Sequence, residues 1–197
     1  MSHSLLLASA SPRRRELLAQ IGVRAETLAV NIEEIPAPHE TPAEYVVRVA
    51  REKAVAAAEI SGSGRPILAA DTEVVLDGDV FGKPRDYGDF CRMMTRLSNR
   101  EHQVLSAVVL LWNDRSWSSL CESRVRFASL TDTDIANYWH TGEPIGKAGG
   151  YAIQGYGALF VSHLSGSYSS VMGLPLHETA QLLVQAGIPV LPSHRTL

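Results

Sequence analysis

Apolar and polar positions alternate along this chain in short blocks, and the blocks change period repeatedly. Leu5 to Ala8 form a compact apolar run that breaks into Ser9-Ala10-Ser11-Pro12, after which Arg13 to Gln20 carries helix-forming residues up to Gly22. That pattern predicts a buried strand, a loop and a helix. Ser11 is placed as N-cap, with Pro12 at the first helical position, where its missing N–H costs nothing. A second strand is predicted over Glu26 to Val30, followed by an acidic, proline-containing loop from Glu33 to Pro42. Thr41-Pro42 begins a helix running to about Ile60, whose Val46, Val49, Ala50, Ala54 and Ala57 recur at helical spacing. Gly62-Ser63-Gly64 predicts a turn.

Beyond that turn the period shortens to that of strands. Pro66 to Ala70 is a small apolar run that stops at Asp71-Thr72, and Glu73 to Leu76 continues extended into Asp77-Gly78-Asp79, a hairpin signal. Asp86 to Leu97 reads as helix. His102 to Trp112 and Ser116 to Phe127 read as long strands joined at Asn113-Asp114, forming an antiparallel pair. Thr131 caps a helix to Trp139, and Gly142 to Gly157 holds six glycines, the composition of a plastic loop. Phe160 to Leu164 predicts a strand, Gly166 to Gly173 a glycine- and serine-rich loop, and Leu176 to Ala186 a closing helix. Helices alternating with strands, one hairpin among them, imply an α/β fold with a mixed twisted sheet flanked by helices. Ligand loops are expected at strand ends.

Composition narrows the function classes. The 197 residues are 45% hydrophobic and 20% charged, without internal repeat or low-complexity linker, which predicts one ordinary globular unit spanning 1–197. A formal net charge of −3 supplies no global attraction to a nucleic acid polymer, so a phosphate-bearing ligand must be held by a local group of cations. Cys91 and Cys121 form neither a CxxC pair nor a disulfide framework, which points to a reducing, cytoplasmic setting. The apolar run at Leu5 is too short for a signal peptide and precedes Arg13, Arg14 and Arg15 instead of following them. No stretch reaches membrane-spanning length, so no membrane partner is expected.

Several residues could carry chemistry. In Ser9-Ala10-Ser11-Pro12-Arg13-Arg14, hydroxyls, loop amides and a helix N-terminus meet two guanidinium groups, a combination suited to phosphate. The plain alternative is a capped helix with a solvated basic first turn, although cations there oppose the helix dipole. Asp71 could bind a metal or deprotonate water, or could simply close a turn. Lys83 in Gly82-Lys83-Pro84, Lys147 in Gly146-Lys147-Ala148, and Lys53 within the long helix could neutralise phosphate oxygens or lie solvated. Glu33-Glu34 could add a carboxylate for a hard cation, or form an acidic solvated loop. The seven histidines lack HxxxH spacing, no GxSxG elbow supports Ser167 to Ser170 as nucleophiles, and neither a dinucleotide fingerprint nor a Walker motif is present. Composition and spacing stop at an anion-binding α/β protein.

Ordered blocks carry the reading further. LASASPRRRELL at 7–18, REKA at 51–54, AADTEVVLDGDVFGKP at 69–84, IGKAGGYAIQGYGALF at 145–160 and GSYSSVMGLPL at 166–176 resemble, over nearly the whole chain, the Maf family of nucleotide pyrophosphatases. The resemblance implies an ITPase-like α/β structure with two lobes around a nucleotide cleft, and a homodimer. It implies Asp71 as the general base, Ser9, Arg14, Lys53 and Lys83 as phosphate-binding groups, and Asp71 and Glu34 as carboxylates on the side of a divalent metal, Mg²⁺ or Mn²⁺. Arg13, Thr72 and Gln154 match the specificity positions of the branch acting on dTTP and UTP, and an amide at 154 offers a donor and an acceptor to a pyrimidine edge. Ser170 departs from the family pattern, where many members carry Asn. The implied activity is hydrolysis of dTTP and UTP to monophosphate and pyrophosphate, modified nucleotides included. The competing implication is a nucleotide-binding regulator of cell division without turnover.

Overall fold

The computed structural model describes residues 4–62 and 64–191; Ser63 of the expected turn, and His3 and His194, lie outside them. In chain order the elements are β1 (Leu5–Leu7), α1 (Pro12–Gln20), β2 (Ala25–Thr27), α2 (Pro42–Ser61), β3 (Ile67–Leu76), β4 (Asp79–Phe81), α3 (Tyr87–Leu97), β5 (Glu101–Trp112), β6 (Arg115–Phe127), α4 (Asp132–His140), β7 (Val161–Ser165), α5 (Tyr168–Met172) and α6 (Leu176–Gln185). Two 3₁₀ turns, Ala148–Gly150 and Tyr156–Phe160, lie between α4 and β7. The strands form a mixed sheet in the order β2-β1-β3-β5-β6-β7, with β4 hydrogen-bonded to β3. β1 runs parallel to β2 and β3, and the pairs from β3 through β7 are antiparallel. The expected hairpin of long strands is the β5–β6 pair, in register from Glu101↔Arg126 to Trp112↔Arg115.

Alternation along β3 divides the core. Ile67, Ala69 and Val75 face α2, where Val46, Ala50, Ala54 and Ala57 pack with Leu6 and Ala107. Small alanines on both surfaces let the helix lie close to the sheet. α2 begins with a full capping box: Glu44 N–H donates to Thr41 Oγ1, and Thr41 N–H donates to Glu44. On the opposite face the apolar contacts form two bodies. One joins Leu7, Leu17, Leu18, Leu68, Ala70, Leu182 and Leu183 beneath α1 and α6. The other joins Val74, Phe81, Phe90, Val125, Phe127, Tyr138, Tyr151 and Phe160 beneath α3 and α4. These are the two lobes.

Four local expectations are corrected. The break predicted at Asp71 is absent, because β3 continues unbroken from Ile67 to Leu76. β2 spans only Ala25–Thr27, shorter than Glu26 to Val30, since its partner β1 is itself three residues long. The glycine- and serine-rich stretch 166–173 contains α5, capped by Ser167 Oγ accepting from Ser170 N–H. The six-glycine segment is packed from Gly149 onward, whereas Gly142 and Gly146 are exposed. Gly149 has φ +65° and lies so close to Val74 that a Cβ would stand 2.7 Å from its Cγ2, and a Cβ on Gly150 would stand 2.9 Å from the Phe90 ring. Those glycines serve close approach.

His102 on β5 is buried in the aromatic lobe, its Nε2 2.8 Å from Tyr151 Oη and its ring edge-on to Phe127. Desolvation lowers its pKa from 6.5 to about 4. Between those values the unfolded chain takes up a proton that the folded chain refuses, so this contribution to stability is full above the unfolded pKa and drains as pH falls through the folded one. Urea unfolding at pH 7 and pH 5 should show the native protein losing roughly 2 kcal/mol more over that interval than His102→Gln, which keeps a polar partner for Tyr151 without titrating.

Candidate active site

β1 pairs with β3 only through Leu6↔Ile67 and Leu7↔Leu68, and β4 covers the same edge only from Val74 onward. Between them Ala69–Glu73 keeps β5 on one side, and among the described residues no strand pairs with it on the other. A cleft of about 750 Å³ lies at this gap, within the range usual for small-molecule sites. Asp71 and Glu73 project toward α2, and Thr72 and Val74 toward the opposite face. With the edge open, all four line one cleft. The feature behind the sequence expectation is therefore the end of a neighbouring strand, not of β3 itself.

Lys53, on the inner face of α2, organises the floor. Its Nζ donates to Asp71 Oδ1 at 2.7 Å and pairs with Glu34 Oε1 at 2.6 Å. Lys83 approaches from the loop after β4 and donates to Glu34 Oε2 at 2.9 Å. Glu34 thus bridges two ammonium groups. Desolvation opposes its charged form, but the hydrogen bonds from Lys53 and Lys83 outweigh it and hold the pKa at about 2. Glu33 beside it is exposed and does not line the cleft.

The loop after β1 supplies the second wall. Ser9 is buried, and its Oγ accepts from Ser11 N–H at 3.1 Å and from Arg14 Nη1 at 3.4 Å. Ser11 holds the N-cap position but makes no side-chain cap bond, so Ser9 braces the turn in its place. Arg14 Nε donates to the Gly173 carbonyl at 2.8 Å, which ties α1 to the end of α5. Desolvation pulls the Arg14 guanidinium down from its ordinary value, and Asp71 and Glu34 offset part of that pull. Arg14 at the helix start thus has partners outside its helix.

Thr72 Oγ1 lies 2.6 Å from Ser106 Oγ on β5, its register partner, and Ser106 also donates to the Asp71 carbonyl at 3.3 Å. Arg13, Lys147 and the exposed Gln154 line the mouth. Every candidate named from the sequence for the nucleotide, namely Ser9, Arg13, Arg14, Glu34, Lys53, Asp71, Thr72, Lys83 and Gln154, borders this one cleft. Two residues were missed. Ser106 gave no signal in an apolar strand. Glu73 could have been found from its two-residue spacing to Asp71, which puts both carboxylates on one face of a strand.

Glu73 is buried, and desolvation, with Asp71 and Glu34 adding, pushes its pKa up to about 8. Asp71 Oδ2 and Glu73 Oε2 are both buried without a hydrogen-bond partner. Orphaned carboxylate oxygens in a cleft fit a hard, oxygen-seeking cation. No group of three or more His, Cys, Asp or Glu among the described residues forms a ready cage. Mg²⁺ does not require one, since it binds through one or two carboxylates together with substrate phosphates and water.

Comparison with known proteins places the chain in a family. The sequence model described as "Maf-like protein" matches residues 4–186. The chain belongs to the Maf family. A Maf relative from Methylococcus capsulatus, named dTTP/UTP pyrophosphatase, is 53% identical over 184 residues, covering 93% of this chain and 91% of the relative. One of the same name from Pseudoalteromonas translucida is 48% identical over 183 residues, covering 93% and 97%. Among solved structures, a HAM1 protein from Coxiella burnetii shares the fold with TM-score 0.51 at 17% identity, covering 94% of this chain and 100% of that one.

Ser170, the departure from the Maf pattern, is fully buried in α5 beside Cys121 and does not line the cleft. The ion pairs at the cleft floor differ sharply in burial, which makes their contributions separable. Lys53→Met should leave the buried Asp71 carboxylate without its cation, with Glu34 keeping only Lys83, and cost about 3 kcal/mol in urea unfolding. Lys83→Met removes an exposed partner and should cost under about 1 kcal/mol.

Proposed function

We propose that this chain hydrolyses dTTP and UTP to the nucleoside monophosphate and pyrophosphate, acting on the cytoplasmic pool of free nucleotides. The observation that carries the reading is the placement of Asp71 on the open edge of β3, facing four phosphate-compatible groups: Ser9, Arg14, Lys53 and Lys83. The names of the Methylococcus and Pseudoalteromonas relatives supply the substrate class.

In this mechanism Asp71 accepts a proton from a water molecule, whose oxygen bonds to the α-phosphorus. The bond from that phosphorus to the bridging oxygen breaks, and pyrophosphate leaves with the electron pair. Attack at the α-position follows from the relatives' pyrophosphatase activity. Lys53 orients the Asp71 carboxylate through Oδ1 and leaves Oδ2 for the water. Arg14, Lys83 and the Ser9 hydroxyl bind phosphate oxygens and offset the charge that develops on them. Asp71 and Glu34 would hold a divalent cation, Mg²⁺ or Mn²⁺, which when bound neutralises the phosphates. Thr72, oriented by Ser106, acts with Arg13 and Gln154 in reading the nucleobase.

The test is turnover of the purified protein on dTTP, UTP, CTP, GTP and methylated GTP with Mg²⁺ or Mn²⁺, measuring pyrophosphate and orthophosphate separately. Pyrophosphate should come mainly from dTTP and UTP. Asp71→Asn should reduce the rate by roughly 100-fold or more with the melting temperature little changed. Preference for methylated GTP would overturn the substrate assignment. Nucleotide binding without turnover by the native protein would replace the enzyme with a binding regulator.

A further inference from the structure

Gln154 does not stand on a regular element. It lies between Gly150 and Tyr156 in a segment that must nevertheless present one side chain reproducibly at the cleft mouth. A single carboxylate organises that segment. Glu143 Oε1 accepts from Tyr138 Oη at 2.7 Å and from Gly157 N–H at 3.0 Å, while Oε2 accepts from Tyr156 N–H at 3.0 Å. Tyr156 and Gly157 open the 3₁₀ turn Tyr156–Phe160, whose cap position is Gly155 and has no side chain to satisfy them. Glu143 therefore caps that turn from 13 and 14 residues upstream.

The network reaches both flanks of Gln154. Tyr138 Oη, while donating to Glu143, accepts from Ala152 N–H at 3.0 Å. Ala152 precedes Gln154 by two residues and Tyr156 follows it by two, so one Tyr–Glu pair fixes the backbone on either side. Two glycines permit the wrap. A Cβ on Gly155 would overlap the Glu143 carboxylate, and one on Gly157 would stand 2.7 Å from the Ala152 carbonyl oxygen and 2.9 Å from Tyr138 Oη. Upstream, Tyr151 is held by His102.

The same carboxylate acts across the cleft mouth. Burial weakens the charged forms of Arg13 and Lys147, and Glu143 is the leading compensating charge for Arg13 and also supports Lys147. Glu143 does not itself border the cleft. We propose that Glu143, through Tyr138, is the positioning residue for nucleobase selectivity, because it folds the loop that presents Gln154. This rests on the reading of the cleft as a dTTP/UTP site. A supporting group outside the ligand's reach fixes the groups that do touch it, and a displacement of about 1 Å there can cost up to about 100-fold.

The experiment compares kcat and KM on dTTP and CTP for the native protein, Glu143→Ala, Glu143→Gln and Tyr138→Phe, alongside hydrogen exchange over residues 151–158. Glu143→Ala should lower the dTTP:CTP ratio of kcat/KM by roughly tenfold or more, chiefly through KM for dTTP, with CTP turnover held within about threefold. The Tyr156 and Gly157 amides should lose protection, and Glu143→Gln, which keeps an acceptor, should recover part of the ratio. Tyr138→Phe preserves the packed ring and should repeat the loss if Glu143→Ala does not fold. An unchanged ratio in a folded Glu143→Ala or Tyr138→Phe, or equal losses on both nucleotides, would overturn this role alone. Absence of turnover by the native protein would overturn it together with the pyrophosphatase reading, and is seen before any variant is compared.

Discussion

The open stretch of the β3 edge governs the rest of the molecule. A polar residue in the middle of a central strand is normally walled in by neighbours on both sides, and its carboxylate would be too costly to bury. Here β1 stops after Leu7 and β4 begins to pair only at Val74, so Asp71 keeps strand geometry and also meets a cleft. β5 pairs with β3 from Ile67 to Val75 on the other side and holds the strand straight. The parallel β1–β3 pair next to the antiparallel β3–β5 pair marks a change of sheet topology, the kind of place where α/β proteins bind ligands.

Charge is distributed to match that opening. Arg13, Arg14 and Lys147 join the floor lysines Lys53 and Lys83 around Glu34, Asp71 and Glu73, so cations outnumber anions in the cleft although the whole chain carries −3. The floor lysines are not idle cations waiting in solvent; each is engaged by Glu34, and Lys53 also by Asp71. In the proposed reaction a triphosphate takes the place of Glu34 on Lys83 while Lys53 keeps Asp71, so the buried ammonium is never left without an anionic partner.

Much of this was legible in the sequence, and the failures have physical causes. The helices declared themselves through caps and apolar spacing, as in α2 with Thr41, Glu44 and the alanines that face the sheet. The drop in hydrophobicity at Asp71 reported a missing neighbour, which sequence periodicity cannot tell from the end of a strand. α5 was hidden because Ser, Gly and Tyr are poor helix formers, and the five-residue helix depends on the Ser167 cap and on its packing beneath the cleft. Most of the candidate residues that border the cleft lie in the ordered motifs, Glu34 excepted, and composition and spacing alone had left each of them with an ordinary structural alternative. Glu143 lay outside that reach, since its partners Tyr156 and Gly157 are brought to it only by the folded loop.

The pairing of β3 with β5 has a kinetic side. In the β3-β5-β6 ribbon β5 is locked to both of its neighbours by long ladders, so the backbone groups around Asp71 that face β5 belong to a slowly opening part of the fold. Glu34 and Gln154 ride on irregular segments that line the cleft. Asp71, the proton acceptor of the proposed reaction, is accordingly the stationary partner, and whatever adjustment a ligand requires on arrival or departure falls to the loops that line the cleft.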